Sequence, residues 1–194
     1  IDIKLSKCFG ICFNVTMSKV ILYVPTRYDG KMEVSNKYGD IQIGNFEAAD
    51  VTLDASCGDI KVHSLKKADI NNSYGNIEVE NVEDATVNAS CGDIDIGTIE
   101  SGKIKNSLGD ITIGQVNYMI DIDEDCGNVK IDYINLHEDS QISNALGDIR
   151  IGQTNEIYID ANTSLGDVKI QNNYHQSDYT LKIRNNAGDI TVRN

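Results

Sequence analysis

A short alternation of apolar residues recurs along most of this chain of 194 residues. The motif is Ile/Val-x-Ile/Val, and nine copies of it lie between residues 41 and 192. Side chains at every second position share one face of a strand, so each copy predicts a short strand with one buried face. The copies are Ile41 and Ile43, Ile60 and Val62, Ile77 and Val79, Ile94 and Ile96, Ile111 and Ile113, Val129 and Ile131, Ile149 and Ile151, Val168 and Ile170, and Ile190 and Val192.

The dipeptide Gly-Asp or Gly-Asn stands before every copy, and its glycines follow one another at intervals of 17 to 22 residues. A second alternating run precedes the glycine, for example in residues 51–57 and 85–91. The glycine is therefore predicted to form a bend between two strands, where a missing side chain permits close backbone approach. The nine glycines are Gly39, Gly58, Gly75, Gly92, Gly109, Gly127, Gly147, Gly166 and Gly188.

A near-constant repeat of this length is typical of stacked architectures. The unit is too short for two helices, so we predict an all-β fold whose units stack as the coils of a β-solenoid. A sandwich of hairpins would also alternate, but it would not require one tripeptide at every bend. We expect one continuous domain, with a cap segment at residues 1–30 and the solenoid at residues 31–194. Within the cap, a strand at residues 19–24 is expected to end at Pro25.

A finer pattern bears on how many units form one coil. Upstream of the glycine, Asn-x-Tyr/Leu alternates with a Cys-containing sequence such as Ala-x-Cys in successive units. We infer that one coil holds two units, so that Cys57, Cys91 and Cys126 form a column with neighbours one strand spacing apart. One unit per coil would instead interleave Cys with Tyr or Leu. The alternation fails in the last two units, so an irregular C-terminal coil is expected. The expected Asn ladder comprises Asn36, Asn72, Asn106 and Asn144.

The formal net charge of −13 narrows the range of partners. With 30 acidic and 17 basic residues, the chain lacks the cationic surface that binds nucleic acid or an anionic membrane. A cationic surface or a divalent ion remains compatible with this charge. No apolar run is long enough to span a bilayer. The chain begins at Ile1 rather than Met, so we expect it to belong to a longer protein.

The run Val24-Pro25 to Val34, followed by Gly39-Asp40-Ile41, resembles the opening of the bacterial adhesin-like family of DUF4097 type. Members of that family carry a V-P-x-x-x-x-G-x-x-x-V segment and then many S-x-x-G-D-I/V-x-V units. The resemblance covers about residues 15–194. It implies a β-solenoid in a bacterial protein, often tethered to the cell envelope by an N-terminal segment, and it implies no catalytic residue or cofactor. The Cys-Gly units depart from the family pattern, in which small polar residues are more usual.

The aspartates of the repeat are the first candidate site. Stacked carboxylates offer the hard oxygen ligands that calcium prefers, but the calcium-binding β-roll repeat needs more glycines than these units have. The favoured interpretation is that each Asp accepts hydrogen bonds from backbone N–H groups of its own bend. The carboxylates are Asp40, Asp59, Asp93, Asp110, Asp148, Asp167 and Asp189, and Asn76 and Asn128 interrupt them.

The five cysteines predict reduced, mostly buried thiols, because cysteine is among the most buried residue types. Cys8-x-x-x-Cys12 would need a second pair of Cys or His to bind zinc, and none follows. The three histidines, His63, His137 and His175, lie in unlike contexts. We therefore predict no metal and no cofactor.

The chain contains no nucleophile and base motif and no phosphate loop, so we expect no enzymatic activity. The acids Asp121, Asp123, Glu124 and Asp125 could imitate a glycosidase pair, but acids are frequent enough here to cluster by chance. Exposed tyrosines would form a carbohydrate or protein surface only if several were coplanar. The tyrosines considered are Tyr28, Tyr118, Tyr133, Tyr158, Tyr174 and Tyr179.

The expected function is that of a non-enzymatic scaffold at the surface or envelope of a bacterium, with a protein or glycan of unknown identity as its partner. A polysaccharide-acting β-helix enzyme is the first alternative. A self-assembling structural solenoid is the second, and a homo-oligomer is left open.

Overall fold

The computed structural model describes residues 2–5, 13–14, 28 and 30–193, with the backbone alone at 2–5, 13–14 and 47–49. Its regular structure is a single sheet of fifteen strands. The expected strand at residues 19–24, Pro25, Cys8 and Cys12 lie outside the described residues. The strands are β1 (Asp2–Leu5), β2 (Phe13–Asn14), β3 (Lys31–Asn36), β4 (Ile41–Cys57), β5 (Ile60–Tyr74), β6 (Ile77–Ala89), β7 (Ile94–Leu108), β8 (Ile111–Cys126), β9 (Val129–Ile134), β10 (Ser140–Leu146), β11 (Ile149–Thr154), β12 (Tyr158–Leu165), β13 (Val168–Ile170), β14 (Thr180–Ala187) and β15 (Ile190–Val192).

One Gly-Asp unit forms one coil of the solenoid. Strands β4 to β8 stack in parallel, each against the next along the chain. Ile60 lies opposite Ile77 in the next unit, and Ile94 lies opposite Ile111. Each of these strands runs from one glycine bend nearly to the next. The predicted β-solenoid is confirmed, whereas the inference of two units per coil is wrong.

The same register corrects the cysteine column. Cys57 lies opposite Tyr74, and Cys126 lies opposite Leu108 on one side and Leu146 on the other. The cysteines share a column, as predicted, but a Tyr or Leu separates each from the next. Neighbouring cysteines are therefore two strand spacings apart, about 9.6 Å, and too distant for a disulfide.

The interior consists of aliphatic columns that run along the stack. The first apolar residue after Gly-Asp is at most 4% exposed in eight of the nine units. The exception is Val168, which is 40% exposed because β13 has a neighbouring strand on one side only. The run before the glycine supplies further buried residues, such as Leu53, Ile70 and Val87, to the same core. The alternation in the sequence is thus confirmed as burial.

The C-terminal coils do not follow the order of the chain. Strand β14 lies between β10 and β12, and β15 lies between β11 and β13. The last unit of the sequence is therefore the last but one in the stack. Arg184 on β14 ties the two units together, because its guanidinium donates to Asp160 Oδ2 at 2.6 Å and to the Asp160 carbonyl at 2.7 Å. The expected irregularity is this change of order, which pairs β14 and β15, the last strands of the sequence, on both sides.

The two ends of the stack are closed differently. At one end β1 pairs antiparallel with β3, and β2 pairs antiparallel with β1. At the other end Asn173, in the connection between β13 and β14, replaces a neighbouring strand beside Ile159. Its Oδ1 accepts the Ile159 N–H at 2.8 Å, and its Nδ2 donates to the Ile159 carbonyl at 2.9 Å. This amide occupies part of an edge that would otherwise be open to another chain.

The glycine bend leaves no room for a side chain. Eight of the nine bend glycines have φ between +108° and +149°, a region that residues with a Cβ avoid. At Gly92 an added Cβ would also overlap the Gly75 carbonyl of the preceding coil. The coils stack at the strand spacing, so neither backbone can move away without losing hydrogen bonds on both sides.

Replacing Gly92 by Ala is expected to lower the free energy of unfolding by about 3 kcal/mol, because the strained φ and the overlap act together. Urea unfolding followed by circular dichroism measures the change. Gly44→Ala is the matched control, since an added Cβ there meets nothing within 4 Å. It should change stability by less than about 1 kcal/mol. Equal losses in the two variants would contradict this account of the bend.

Candidate functional site

The aspartates of the repeat form a column along the outside of the bends, and each except Asp167, the last in the stack, accepts a hydrogen bond from the next coil. Asp40 Oδ1 accepts the Asp59 N–H at 3.0 Å, and Asp93 Oδ1 accepts the Asp110 N–H at 2.8 Å. The expected bond to the residue's own bend is wrong, because the acceptor serves the neighbouring coil. In stack order this acidic column comprises Asp40, Asp59, Asn76, Asp93, Asp110, Asn128, Asp148, Asp189 and Asp167.

These bonds bear on the calcium interpretation. From Asp40 to Asp189 in the stack, one side-chain oxygen of every member is engaged with the backbone. In the part of the chain whose side chains are described, no group of three or more His, Cys, Asp or Glu is placed to hold a metal ion. The column is accordingly explained by the hydrogen bonds of the stack.

A second column, buried just before the bend, satisfies the glycine carbonyls. Asn72 Nδ2 donates to the carbonyls of Gly58 and Gly75, both at 3.0 Å. Asn106 does the same for Gly92 and Gly109, at 3.2 and 3.3 Å. One amide therefore serves two successive bends, which is why Ala can stand in the coil between two Asn residues. Asn36, Asn144, Asn185 and Thr163 each donate to one further glycine carbonyl.

The expected Asn ladder is thus replaced by a column in which Asn alternates with other residues. Ala55 lies opposite Asn72, and Ala89 lies opposite Asn106. The amides hydrogen-bond to the backbone of the bends and not to one another. The alternation seen in the sequence is real, but its cause is the sharing of one donor between two coils.

The residue immediately before each glycine points out of the solenoid. Its carbonyl accepts the glycine N–H of the preceding coil, as from Gly58 to Tyr74 at 2.9 Å and from Gly92 to Leu108 at 2.8 Å. We call this line of side chains the ridge. In stack order the ridge comprises Tyr38, Cys57, Tyr74, Cys91, Leu108, Cys126, Leu146, Ala187 and Leu165.

The ridge corrects the expectation of buried thiols. Cys57 and Cys126 are exposed and Cys91 is half-buried, and all three are free. The bend directs the residue before the glycine outward in every coil, whatever its polarity. Cysteine burial was inferred from residue type alone, which carries no information about this geometry.

The aromatic and histidine side chains form two small clusters elsewhere. His137 lies between Tyr118, stacked at a centroid distance of 6.0 Å, and Tyr179, edge-on at 6.1 Å. Tyr158 and His175 are in contact at 5.2 Å. Of the remaining tyrosines considered, Tyr28 is buried, whereas Tyr133 and Tyr174 are exposed. His63 is paired with Glu80.

An open groove of about 480 Å³ lies beside the first of these clusters. Asp121, Glu138, Asp139, Lys103 and Lys182 lie on its walls. The Glu138 carboxylate accepts from the Tyr118 hydroxyl at 3.2 Å, and this hydrogen bond raises the pKa of Tyr118. Asp139 Oδ1 accepts the Thr180 N–H at 2.8 Å, so this acid is engaged with the backbone.

A family model described as Toastrack DUF4097 matches residues 4–193. The chain belongs to this family. Comparisons with curated proteins and with solved structures gave no match. Across the described residues, this Toastrack chain has no helix long and apolar enough to cross a membrane.

One acid of this Toastrack chain is buried where the other units have Ala, Asn or Thr. Glu124 is 1% exposed, and it lies opposite Asn106 on one side and Asn144 on the other. Its Oε1 accepts the Cys126 N–H at 3.1 Å, whereas Oε2 has no partner in the described part of the chain. Burial raises the pKa of Glu124 to about 7, against the opposing hydrogen bonds from Cys126 and Asn106. Asp121, Asp123 and Asp125 point outward, so the four acids do not form a glycosidase-like pair.

The sequence contained the signals for both missed features. Glu124-x-Cys126-Gly127 aligns with Ala55-x-Cys57-Gly58, so the repeat itself places Glu124 at a buried position. The ridge consists of the residue before each glycine. The sequence pattern assigns its Tyr and Leu residues to one set of units and its Cys residues to the other. Only the pairing of successive units joins its two halves into one line.

Replacing Asn72 by Ala is expected to lower the free energy of unfolding by about 2 kcal/mol, because two partly buried carbonyls lose their donor. Ala89 occupies the same column, so the smaller side chain fits without strain. The exposed Asn81→Ala variant is the matched control and should differ from the parent chain by less than about 0.5 kcal/mol. Urea unfolding measures both, and an unchanged Asn72→Ala variant would contradict the shared-donor account.

Stability is expected to fall as the pH rises toward 7 on account of Glu124. Below its ordinary pKa of 4.5 both the folded and the unfolded state hold this proton. Between 4.5 and about 7 the unfolded state loses it first, so ionisation favours unfolding, and the effect is complete above about 7. Glu124→Gln should remove this decline and be more stable than the parent chain by roughly 2–3 kcal/mol near pH 8.

Urea unfolding across this pH range gives the free energy of unfolding as a function of pH. Subtracting the profile of Glu124→Gln from that of the parent chain removes the contributions of the other titrating groups. The exposed Asp95→Asn variant is the control and should run parallel to the parent chain, because Asp95 is not among the groups that shift the pKa of Glu124. A Glu124→Gln profile that also ran parallel would show that Glu124 does not cause the decline.

Proposed function

We propose that this chain is a non-enzymatic scaffold of the bacterial cell envelope, and that other molecules dock on its outer faces in an adhesin-like manner. The observation that carries the proposal is the use of the repeated polar residues. The aspartates and asparagines of the motif bond to the backbone of neighbouring coils, so the motif builds the stack. What the repeat offers to other molecules is a set of continuous outward-facing columns.

Membership of the Toastrack family supports the scaffold, because its repeats build a solenoid in this chain. The envelope location is proposed from the resemblance to the adhesin-like family of DUF4097 type, whose members are often tethered to the envelope by an N-terminal segment. The net charge of −13 is compatible with a surface protein that docks cationic partners.

The test uses the full-length protein in its native cells. We expect it to fractionate with the envelope and to be cross-linked there to a reproducible set of envelope components. A cytosolic protein expressed at the same level serves as the control for lysis and non-specific capture. Recovery in the soluble cytosolic fraction, or reproducible turnover of an envelope polysaccharide by the purified chain, would overturn the proposal.

The groove beside Tyr118 favours a second candidate, a polysaccharide-acting solenoid. Acidic side chains line this groove, and the Tyr118 hydroxyl donates to one of them, Glu138, so an aromatic residue lies beside an acid as this alternative requires. Glycan binding that is lost in Tyr118→Ala and Tyr179→Ala, with hydrolysis lost in Asp121→Asn or Glu138→Gln, would support the enzyme. Glycan binding without hydrolysis would instead place a glycan among the partners of the scaffold.

The self-assembling alternative requires an open edge at the end of the stack. Strands β12 and β13 present that edge, and Asn173 covers the part beside Ile159. Because a side chain in this position competes with an incoming strand, the geometry favours the scaffold over polymerisation.

A further inference from the structure

The ridge holds the most exposed large apolar side chains of the described structure. Tyr38 is 83% exposed, Leu165 72%, Tyr74 62%, Leu146 54% and Leu108 52%, and the next in rank, Tyr118, is 41% exposed. Singly scattered apolar residues are normal on a protein surface, but a contiguous line of them marks a contact site.

The line is regular in space, although it is not regular in sequence. Large side chains alternate with Cys or Ala from one coil to the next. We call the Tyr and Leu side chains knobs, and the gaps between them, at Cys57, Cys91, Cys126 and Ala187, notches. The exchanged order of the last two units preserves this alternation, because Ala187 lies between Leu146 and Leu165. The knobs therefore recur about every 9.6 Å along the whole stack.

The fold itself does not require apolar side chains here. The residue one position earlier in each unit is also on the surface, and there Ser is used in most coils, as at Ser56, Ser90 and Ser107. The ridge residue contributes its carbonyl to the bend, which any residue type would provide. The exposed apolar surface is therefore an addition to the structural repeat.

The negative charge beside the ridge indicates which kind of molecule docks on it. The acidic column runs parallel to the ridge, two residues further along each unit. Asp59, Asp93 and Asp110 have no Lys or Arg within salt-bridge distance among the residues whose side chains are described. A second copy of the chain brings a further charge of −13, and an anionic lipid surface would also be repelled. A basic partner with spaced apolar side chains fits both lines at once.

We propose that the ridge and the acidic column together bind an extended basic polypeptide segment, whose apolar side chains seat in the notches between the knobs and whose Lys or Arg side chains meet the aspartates. A polyproline II segment with one apolar residue in three matches the ridge, since three residues of that helix rise about 9.3 Å. This inference rests on the proposed scaffold function and names the chemistry of what docks.

The probe is a synthetic peptide of about six Leu-Pro-Lys repeats, chosen for this period. Binding to the full chain is measured by fluorescence anisotropy, with Leu-Pro-Glu and Ser-Pro-Lys peptides of equal length as controls. We expect saturable binding of Leu-Pro-Lys that weakens with salt, and binding at least about tenfold weaker for both controls. The proposal is overturned if the Ser-Pro-Lys peptide binds as tightly as the Leu-Pro-Lys peptide, or if the Leu-Pro-Lys peptide does not bind.

Two sets of variants assign the binding to the surface. Replacing Tyr74, Leu108 and Leu146 by Ser should weaken it at least about tenfold, whereas replacing the exposed Tyr118, Tyr133 and Tyr174 by Ser should not. Replacing Asp59, Asp93 and Asp110 by Asn keeps the Oδ1 acceptor, as Asn76 and Asn128 do. This variant should bind about three- to tenfold more weakly and lose most of the salt dependence. Unchanged affinity for the peptide in the ridge variant or in the Asp→Asn variant overturns the proposal.

A second readout does not depend on the folding of variants. The notch thiols of Cys57, Cys91 and Cys126 should be alkylated more slowly when the Leu-Pro-Lys peptide is bound, as followed cysteine by cysteine by mass spectrometry. Unchanged rates at saturating peptide would overturn the proposal. Two further results would overturn the proposal, because each would assign the ridge another occupant. One is self-association of the parent chain that is lost when Tyr74, Leu108 and Leu146 are replaced by Ser. The other is binding to phosphatidylcholine vesicles that is lost in the same variant.

The two proposals fail separately. Peptide binding is measured on the purified chain, so its loss leaves the fractionation of the full-length protein unchanged. A full-length protein found outside the envelope would in turn leave the affinity for the peptide as measured.

Discussion

At each bend the backbone leaves the regular ladder, and its polar groups must find partners in the same coil or in the next one. Three bonds meet this constraint. The glycine N–H bonds to the ridge carbonyl of the next coil, the Asp N–H bonds to Oδ1 of the preceding Asp, and the glycine carbonyl accepts an Asn amide. The repeat is therefore written in Gly, Asp and Asn, because each supplies one part of this set and little else would fit.

The same constraint determines the surface. An aspartate that bonds through Oδ1 keeps its negative charge on the outside of the bend, so a structural hydrogen bond repeated along the stack produces a line of negative charge, in which Asp148 is paired with Arg150. Two exposed carboxylates about 5 Å apart repel by only about 1 kcal/mol in water, which a hydrogen bond of similar magnitude offsets. Asn76 and Asn128 provide the same acceptor without the charge. The acidic column is thus a consequence of the fold.

One buried donor for two bends explains the period of two coils. Asn72 and Asn106 each reach the glycine of their own coil and that of the coil before, so the intervening position is free to be Ala. At one such position Glu124 is buried instead, and burial holds its pKa at about 7. The alternation inside the stack is accompanied by the alternation of knobs and notches on the ridge, which lies two residues further along each unit.

The sequence by itself determined the solenoid, the bends and the buried face of each strand. These follow from local chemistry: a glycine where no Cβ fits, and Ile or Val at alternate positions. The tertiary structure alone decided which units are neighbours. One unit per coil rather than two, the Asp bond to the next coil, and the exchanged places of the last two units all depend on pairing between residues 17 or more positions apart. Alternation within one strand is the same in either stacking, so the sequence pattern could not distinguish them. The ridge became visible as one continuous line only when that pairing was known, because its Tyr, Leu and Cys residues are joined by hydrogen bonds between coils and not by sequence.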